Sequence, residues 1–389
     1  PHVAVDPTDN RIVYIAYNND LSTGVSMSRD RGQTWVHTSI GAKADPDAYA
    51  DPVLAVDPST RDLWHSYVSI PLTATPIEDP HQVHLLRATH DAGGNLVWGA
   101  PIQASDPAYY TASYSVDKPW LAVGATGTLY VAYNVFSASS MSPPFIALAI
   151  STDRGQNWRH LVVNDRSRFT GGTLPYVTTD AKSVAYLGWW ESSPVTELGG
   201  HIWFSKLTSA TASVGANVRV HDVPEAAYDG PQVAVTADGS ILYVVYGAIV
   251  PGGGVDAQDV KASFSTNGGS NWSAPIKLND DPSCATHWHP AAVTDSAGSL
   301  WVIYYDERYG DGRVAWVKAV VSSGALSVAA RGWVTDAAPL FTTSRFSSFL
   351  GDYIGLAFAG GDLFAAWGDL REAGKATDTR IYFSQGAAL

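Results

Sequence analysis

The chain is 389 residues long, 46% hydrophobic and 16% charged, with a formal net charge of -13. This composition supports a large core and excludes intrinsic disorder, and an acidic surface of this kind disfavours duplex nucleic acid and anionic membranes as partners. No apolar run approaches the roughly 20 residues of a membrane-spanning helix, and the lone Cys284 allows neither an intrachain disulfide nor a thiolate metal cage.

One phrase recurs along the chain: a Pro, an alternating apolar run, a polar turn, and a second apolar run ending in Tyr or Trp. It opens as Pro1-His2-Val3-Ala4-Val5 with Ile12 to Tyr17 and returns as Pro52-Val53-Leu54-Ala55-Val56 with Leu63 to Tyr67. Further copies are Pro119-Trp120-Leu121-Ala122-Val123 with Leu129 to Tyr133, and Pro175-Tyr176-Val177 with Ala185 to Trp189. They continue as Pro231-Gln232-Val233-Ala234-Val235 with Ile241 to Tyr246, and Pro290-Ala291-Ala292-Val293 with Leu300 to Tyr305. Last comes Tyr353-Ile354-Gly355-Leu356 with Leu363 to Trp367, without the Pro. Seven copies in 389 residues give a period of about 56, close to that of propeller blades.

Period-two runs joined by short polar turns predict antiparallel hairpins, and no segment has a helical period. The expected fold is all-β: a single β-propeller with seven blades of mostly four antiparallel strands, six blades being the alternative. The blades fall near 1–45, 46–110, 111–168, 169–224, 225–282, 283–340 and 341–389. One blade cannot bury both of its faces, so the copies make one domain. The last blade is expected to borrow a strand from upstream of Pro1.

A second motif follows in several repeats. It reads Ser28-Arg29-Asp30-Arg31-Gly32-Gln33-Thr34-Trp35, and again Ser151-Thr152-Asp153-Arg154-Gly155-Gln156-Asn157-Trp158. Asn replaces Asp in Ser265-Thr266-Asn267-Gly268-Gly269-Ser270-Asn271-Trp272, and Thr89 to Trp98 is a stretched copy. In a tight hairpin the Asp bonds the turn backbone, Gly takes a positive φ and Trp folds back over the strand. Ser-x-Asp-x-Gly-x-x-Trp at blade spacing resembles the Asp-box, or BNR repeat, of the sialidase superfamily. The resemblance implies a propeller scaffold, a glycan substrate, and Asp-box residues at the periphery with a structural role. That superfamily's sialidases also carry Arg-Ile-Pro and an arginine triad. This chain has Arg11-Ile12-Val13 instead, inside the first hairpin, and no residue-by-residue match to the triad.

The first strands of a propeller converge on a central channel, so residues just before them should ring its mouth. Those positions hold Asp51, Asp117, Lys118, Asp229, His287, His289, Asp352 and Tyr353, while loops leaving the second strands add Trp190, Glu307, Arg308 and Arg371. Carboxylates serve as acid and base, Arg and Lys grip anionic groups, and aromatics stack on sugar rings. The candidate catalytic residues are therefore Asp51, Asp117, Asp229, His289, Asp352 and Glu307. The candidate substrate-binding residues are Lys118, Trp190, His287, Arg308, Tyr353 and Arg371. Each Asp also has a plainer reading as a turn cap. His287-Trp288-His289 would place two rings on one side of a strand, where a divalent metal could bind with Asp51 or Asp352; no cofactor is otherwise expected.

The expectation is a secreted or cell-surface glycan-active enzyme, a hydrolase first, working as a monomer on an oligo- or polysaccharide, with no nucleic-acid or membrane partner. The alternatives are a polysaccharide lyase on the same scaffold, with His289 or Tyr353 as base, and a non-catalytic carbohydrate- or protein-binding propeller.

Overall fold

A computed structural model describes residues 1–41, 47–72, 81–109, 113–137, 143–167, 171–193, 199–252, 257–282, 285–309, 312–335, 350–370 and 379–387. Within them the chain forms seven antiparallel sheets in sequence order, the blades of a β-propeller. The innermost strands are His2–Val5, Asp47–Val56, Tyr114–Val123, Gly172–Thr179, Gln232–Val235, His287–Thr294 and Gly355–Ala359. Five blades have four strands; the second has a fifth, Ile102–Gln103, paired with Gln82–His90, and the seventh shows three. A single 3-10 turn at Pro107–Tyr109 is the one helical element among the described residues.

The second and third strands of each blade lie between two neighbours, so they read as near-continuous apolar runs rather than alternating ones. Phe145–Ser151 is buried along its whole length, whereas the outer strand Val36–Ile40 is mostly exposed. Packing is between blades, not within them. One apolar cluster joins Trp64, Val83 and Leu85 of the second blade to Leu129, Tyr133 and Phe145 of the third. Another joins Val3, Val13 and Ile15 of the first blade to Phe364 and Ala366 of the seventh. That last cluster closes the ring and removes the open sheet edges that would otherwise invite aggregation.

The Ser-x-Asp-x-Gly-x-x-Trp segments form the turns between third and fourth strands, at the rim of the disc. Asp30 Oδ1 accepts the Ser28 hydroxyl at 2.7 Å and the backbone N–H groups of Gln33 and Thr34 at 3.0 and 2.9 Å. Asp153 accepts from Ser151 Oγ, Asn157 N and Asn157 Nδ2 in the same way. The glycine does more than supply a positive φ. A Cβ on Gly32 would lie 2.2 Å from the Phe383 ring of the seventh blade, and one on Gly269 would lie 2.0 Å from Phe204 of the fourth. Each of these turns therefore seats its blade against the preceding one.

Candidate functional site

A repeated backbone device builds the channel mouth. The inner strands of blades two, three, four and six all slip register just before or at the repeat proline: between Ala50 and Val53, Asp117 and Trp120, Thr173 and Tyr176, Trp288 and Ala291. In each, the residue before the proline has a left-handed backbone: Asp51 φ 53°, Lys118 φ 52°, Leu174 φ 54° and His289 φ 49°. The fifth blade places Gly230 there, at φ 70°. For a residue with a Cβ this conformation costs on the order of 1 kcal/mol. A β-bulge leaves its extra residue unpaired and re-aims that side chain. Asp51, Lys118, Leu174 and His289 accordingly turn inward and line one funnel with Asp229, Gly230, Asp352, Tyr353, Trp120 and Tyr176.

An ion cluster occupies one side. Lys118 Nζ donates to Asp51 Oδ2 at 2.9 Å and to Asp352 Oδ2 at 2.6 Å. The two oxygens that share this ammonium are therefore no more than about 5.5 Å apart, short of the roughly 6.5–9.5 Å between the carboxyls of an inverting glycosidase. Their surroundings differ. The Asp51 side chain is 8% exposed and that of Asp352 38%. Burial pushes the Asp51 carboxyl up to about 6; Lys118 opposes this, and the charges of Asp117 and Asp352 reinforce it. Burial also works against the Lys118 charge, but Asp51, Asp117 and Asp352 outweigh it and hold the ammonium well above its ordinary value. Asp117 lies behind the lining, its Oδ1 accepting the Lys118 backbone N–H at 2.8 Å. It acts on the funnel through its field rather than by contact.

A second polar chain crosses three blades. Asp229 faces His289 Nδ1 and accepts the His289 backbone N–H at 2.6 Å, and His289 Nε2 lies 2.9 Å from the Gly351 carbonyl. A carbonyl only accepts, so Nε2 carries a hydrogen. The proton between Nδ1 and Asp229 then sits on one or the other, and neither ring nitrogen is left to take a proton from a substrate. Tyr353 is committed as well: its hydroxyl donates to the Pro52 carbonyl at 2.8 Å, and burial, with Asp51 and Asp352 beside it, raises its pKa well above the ordinary value.

The remaining wall is apolar. Trp120 packs on Tyr176 with ring centroids 4.5 Å apart and meets Tyr353 edge-on at 5.5 Å. Counting the space open to solvent at its mouth, the funnel encloses about 500 Å³. Trp120 and Tyr176 were not among the residues singled out from sequence. The signal was present in the position just after the repeat proline, which is aromatic in blades three and four but Val53, Gln232 and Ala291 in blades two, five and six.

Other expected site residues go elsewhere. His287 and His289 do not share a face, because the bulge at His289 interrupts the alternation. The His287 ring is fully buried, with Nδ1 2.8 Å from the Gln258 carbonyl and Nε2 3.0 Å from Asp281. The metal pair expected from this tripeptide is not assembled, and among the described residues no group of three or more His, Cys, Asp or Glu is placed to hold a metal ion. Arg308 forms a fork onto Asp306 and reaches Asp280 at 2.6 Å. Glu307 accepts the Trp288 indole N–H at 2.9 Å, and Trp190 donates to the Ala226 carbonyl at 3.0 Å. None of these four residues lines the funnel. Glu307 and Arg308 follow the second strand of the sixth blade and Trp190 lies within that of the fourth, while His287, although on an inner strand, is turned to Gln258 and Asp281. Arg371 lies outside the described residues.

No family model matches the sequence, and no curated protein matches it. Solved structures do match in fold. The Hadza microbial sialidase Hz136 aligns with a TM-score of 0.54 at 14% identity, over 94% of this chain and 74% of that one. The polysaccharide lyase Uly1 aligns at 0.61 and 9% identity, over 99% and 88% of the two chains. The GH93 alpha-L-arabinofuranosidase of Fusarium graminearum aligns at 0.54 and 13% identity, over 78% and 87%. At these identities the likeness establishes a sialidase-like propeller scaffold, on which proteins of different glycan chemistry are built.

Proposed function

We propose that the chain is a glycan-active enzyme, a sialidase-like propeller hydrolase that cleaves a glycosidic bond in the funnel. The observation that carries this reading is the Asp51–Lys118–Asp352 cluster: two carboxyls in unlike surroundings, close enough to flank one bond. Asp51, buried and raised to about 6, is the general acid that protonates the leaving oxygen. Asp352, more exposed and accepting from Lys118, attacks or stabilises the anomeric carbon. Lys118 holds Asp352 in place, and Trp120 and Tyr176 give the sugar an apolar face to lie against. Asp229 and His289, in the same lining, brace the Gly351–Asp352 segment.

The fold neighbours support the carbohydrate part of this reading, since each is named for an enzyme of glycan chemistry. The lyase alternative needs a side chain free to abstract a carbon-bound proton, and both candidates, His289 and Tyr353, already have their polar atoms engaged. The rim turns fit the Asp-box, with a structural role. In this reading side chains carry the chemistry without a cofactor, and the protein works as a secreted monomer.

The test is turnover on a panel of polysaccharides and aryl glycosides by the parent, Asp51→Asn and Asp352→Asn. Asn keeps the size but cannot shuttle a proton or attack, so both variants should lose about 100-fold or more in kcat. A product with a near-ultraviolet chromophore would identify a lyase instead. Sugar binding without turnover by the parent would identify a binding propeller.

A further inference from the structure

The residues that precede the repeat proline are related by rotation about the channel axis, yet they differ in kind around the ring. Blades two, three and six hold Asp51, Lys118 and His289, and blade seven holds Asp352 close by. Blades four and five hold Leu174 and Gly230 in the same left-handed position. The funnel is thus divided. Its polar arc runs from Asp229 of blade five through blades six, seven, two and three, and its apolar arc, Leu174 and Gly230 with Tyr176 and Pro231, fills the gap. The two positions lie side by side in that arc, since a Cβ on Gly230 would stand in ordinary contact with Leu174 Cβ at 3.5 Å.

The ionisable groups of the lining are also unevenly matched. Three carboxyl groups, Asp51, Asp229 and Asp352, face one ammonium and one imidazole among the described lining residues. The ammonium is already shared by Asp51 and Asp352, and the imidazole is held by Asp229 and the Gly351 carbonyl. A substrate carboxylate would have to compete with Asp51 and Asp352 for Lys118, the one ammonium of that lining. A ring carrying only hydroxyls meets no such penalty, and it presents an apolar C–H face that fits the opposite arc.

We propose that the funnel is selective for a sugar ring without an acidic substituent, with Leu174 and Gly230 forming the seat for its apolar face and setting the space it occupies. This inference rests on the glycan reading of the same site and narrows its substrate class. It separates the chain from a sialidase in chemistry while leaving it one in scaffold.

The test uses the full chain and matched methyl glycosides that differ only at C6, glucoside against glucuronide and galactoside against galacturonide. The methyl glycosides of arabinofuranose and sialic acid are added, and binding is followed by saturation-transfer NMR and calorimetry at low salt. At least one neutral sugar should bind at least tenfold more tightly than the acidic members. Leu174→Ala and Leu174→Trp should each weaken that sugar at least fivefold, the first by removing the seat and the second by filling the gap. Melting temperatures within a few degrees of the parent's show that the variants remain folded. Asp352→Asn should narrow the neutral-over-acidic preference, because it removes one competitor for Lys118.

An acidic sugar that binds as tightly as its neutral partner, with binding still sensitive to Leu174, would overturn the inference and leave the glycan reading standing. Neutral-sugar affinity unchanged in both Leu174 variants would overturn the proposed seat. Failure of every sugar, monomeric or on a glycan array, would overturn the glycan reading and this inference with it.

Discussion

Lys118 Nζ donates to Asp352 Oδ2 at 2.6 Å across 234 residues of chain. The same ammonium holds Asp51, so one side chain from the third blade ties the second blade to the segment leading into the seventh. Removing it leaves a buried carboxylate without a partner, which costs more than the net worth of the pair. Lys118→Met should lower stability by about 2 kcal/mol, less than for a fully buried pair because the lysine side chain is 27% exposed. The loss should shrink near pH 5, where Asp51 takes up a proton. Melting curves of parent and variant at pH 5 and pH 7.5 check both statements, and an equal loss at both values would disconnect Lys118 from Asp51.

Asp51 also sets a pH dependence of stability. Its carboxyl titrates near 3.8 when unfolded and about 6 in the fold. Between those values the folded state binds a proton that the unfolded state has lost. Stability from this group is therefore present at low pH and lost as pH rises through about 6, on the order of 3 kcal/mol in all. In Asp51→Asn this contribution to the slope disappears. Denaturant titrations at pH 4.5, 5.5, 6.5 and 7.5 should show the parent falling relative to the variant across that window, and parallel curves would contradict it.

Activity should follow the same group with the same sense. A general acid must be protonated, so kcat/KM should fall above about pH 6, the value to which Asp51 is raised. A basic limb that stays in place in Asp51→Glu but is lost in Asp51→Asn, whose residual rate no longer follows that limb, is the expected signature. A limb that remained in the Asn variant would assign the proton to another residue.

At the rim, Asp30 and Asp153 are each held down to about 2, chiefly by Thr34 and Asn157, whose side chains and backbone N–H groups donate to them. Their contribution to stability is present above the unfolded value of 3.8 and is lost as pH falls toward 2. Asp153→Ala should lower Tm at pH 7, with a difference from the parent that narrows as pH drops below 4. Turnover at 25 °C should be unchanged, and loss of activity without loss of Tm would move these turns into the site.

Gly269→Ala tests the seating of one blade on the next. The added Cβ would press into the Phe204 ring from a backbone at φ 83°. The strain and the displaced ring should cost about 1–3 kcal/mol. Pairing it with Phe204→Leu, which relieves the clash, should recover part of the loss in a double-mutant cycle. Additive effects would show that the two blades do not meet there.

Some of this architecture is readable from local chemistry alone. Seven copies of one hairpin phrase, six of them Pro-initiated and each too apolar to stand alone, specify a ring of sheets, because period-two alternation and turn residues act within a few residues of one another. The turn roles of Asp30 and Asp153 follow for the same reason. The clustering of ionisable residues before the repeat proline likewise marks Asp51, Lys118, Asp229, His289 and Asp352 as neighbours, since a repeat places equivalent positions around one axis. The tertiary structure decided which way those side chains point. A bulge and a left-handed residue turn His289 into the funnel while His287, two residues earlier, goes to Gln258 and Asp281. Strict alternation would have kept them together, and no pattern in the sequence records a register slip. The sharing of Lys118 between Asp51 and Asp352 was likewise beyond sequence reach, as was the withdrawal of Arg308 to Asp306. Which of several charges pair depends on distances of a few ångströms between segments hundreds of residues apart, and these are set only when the seven interblade cores have packed and closed the ring.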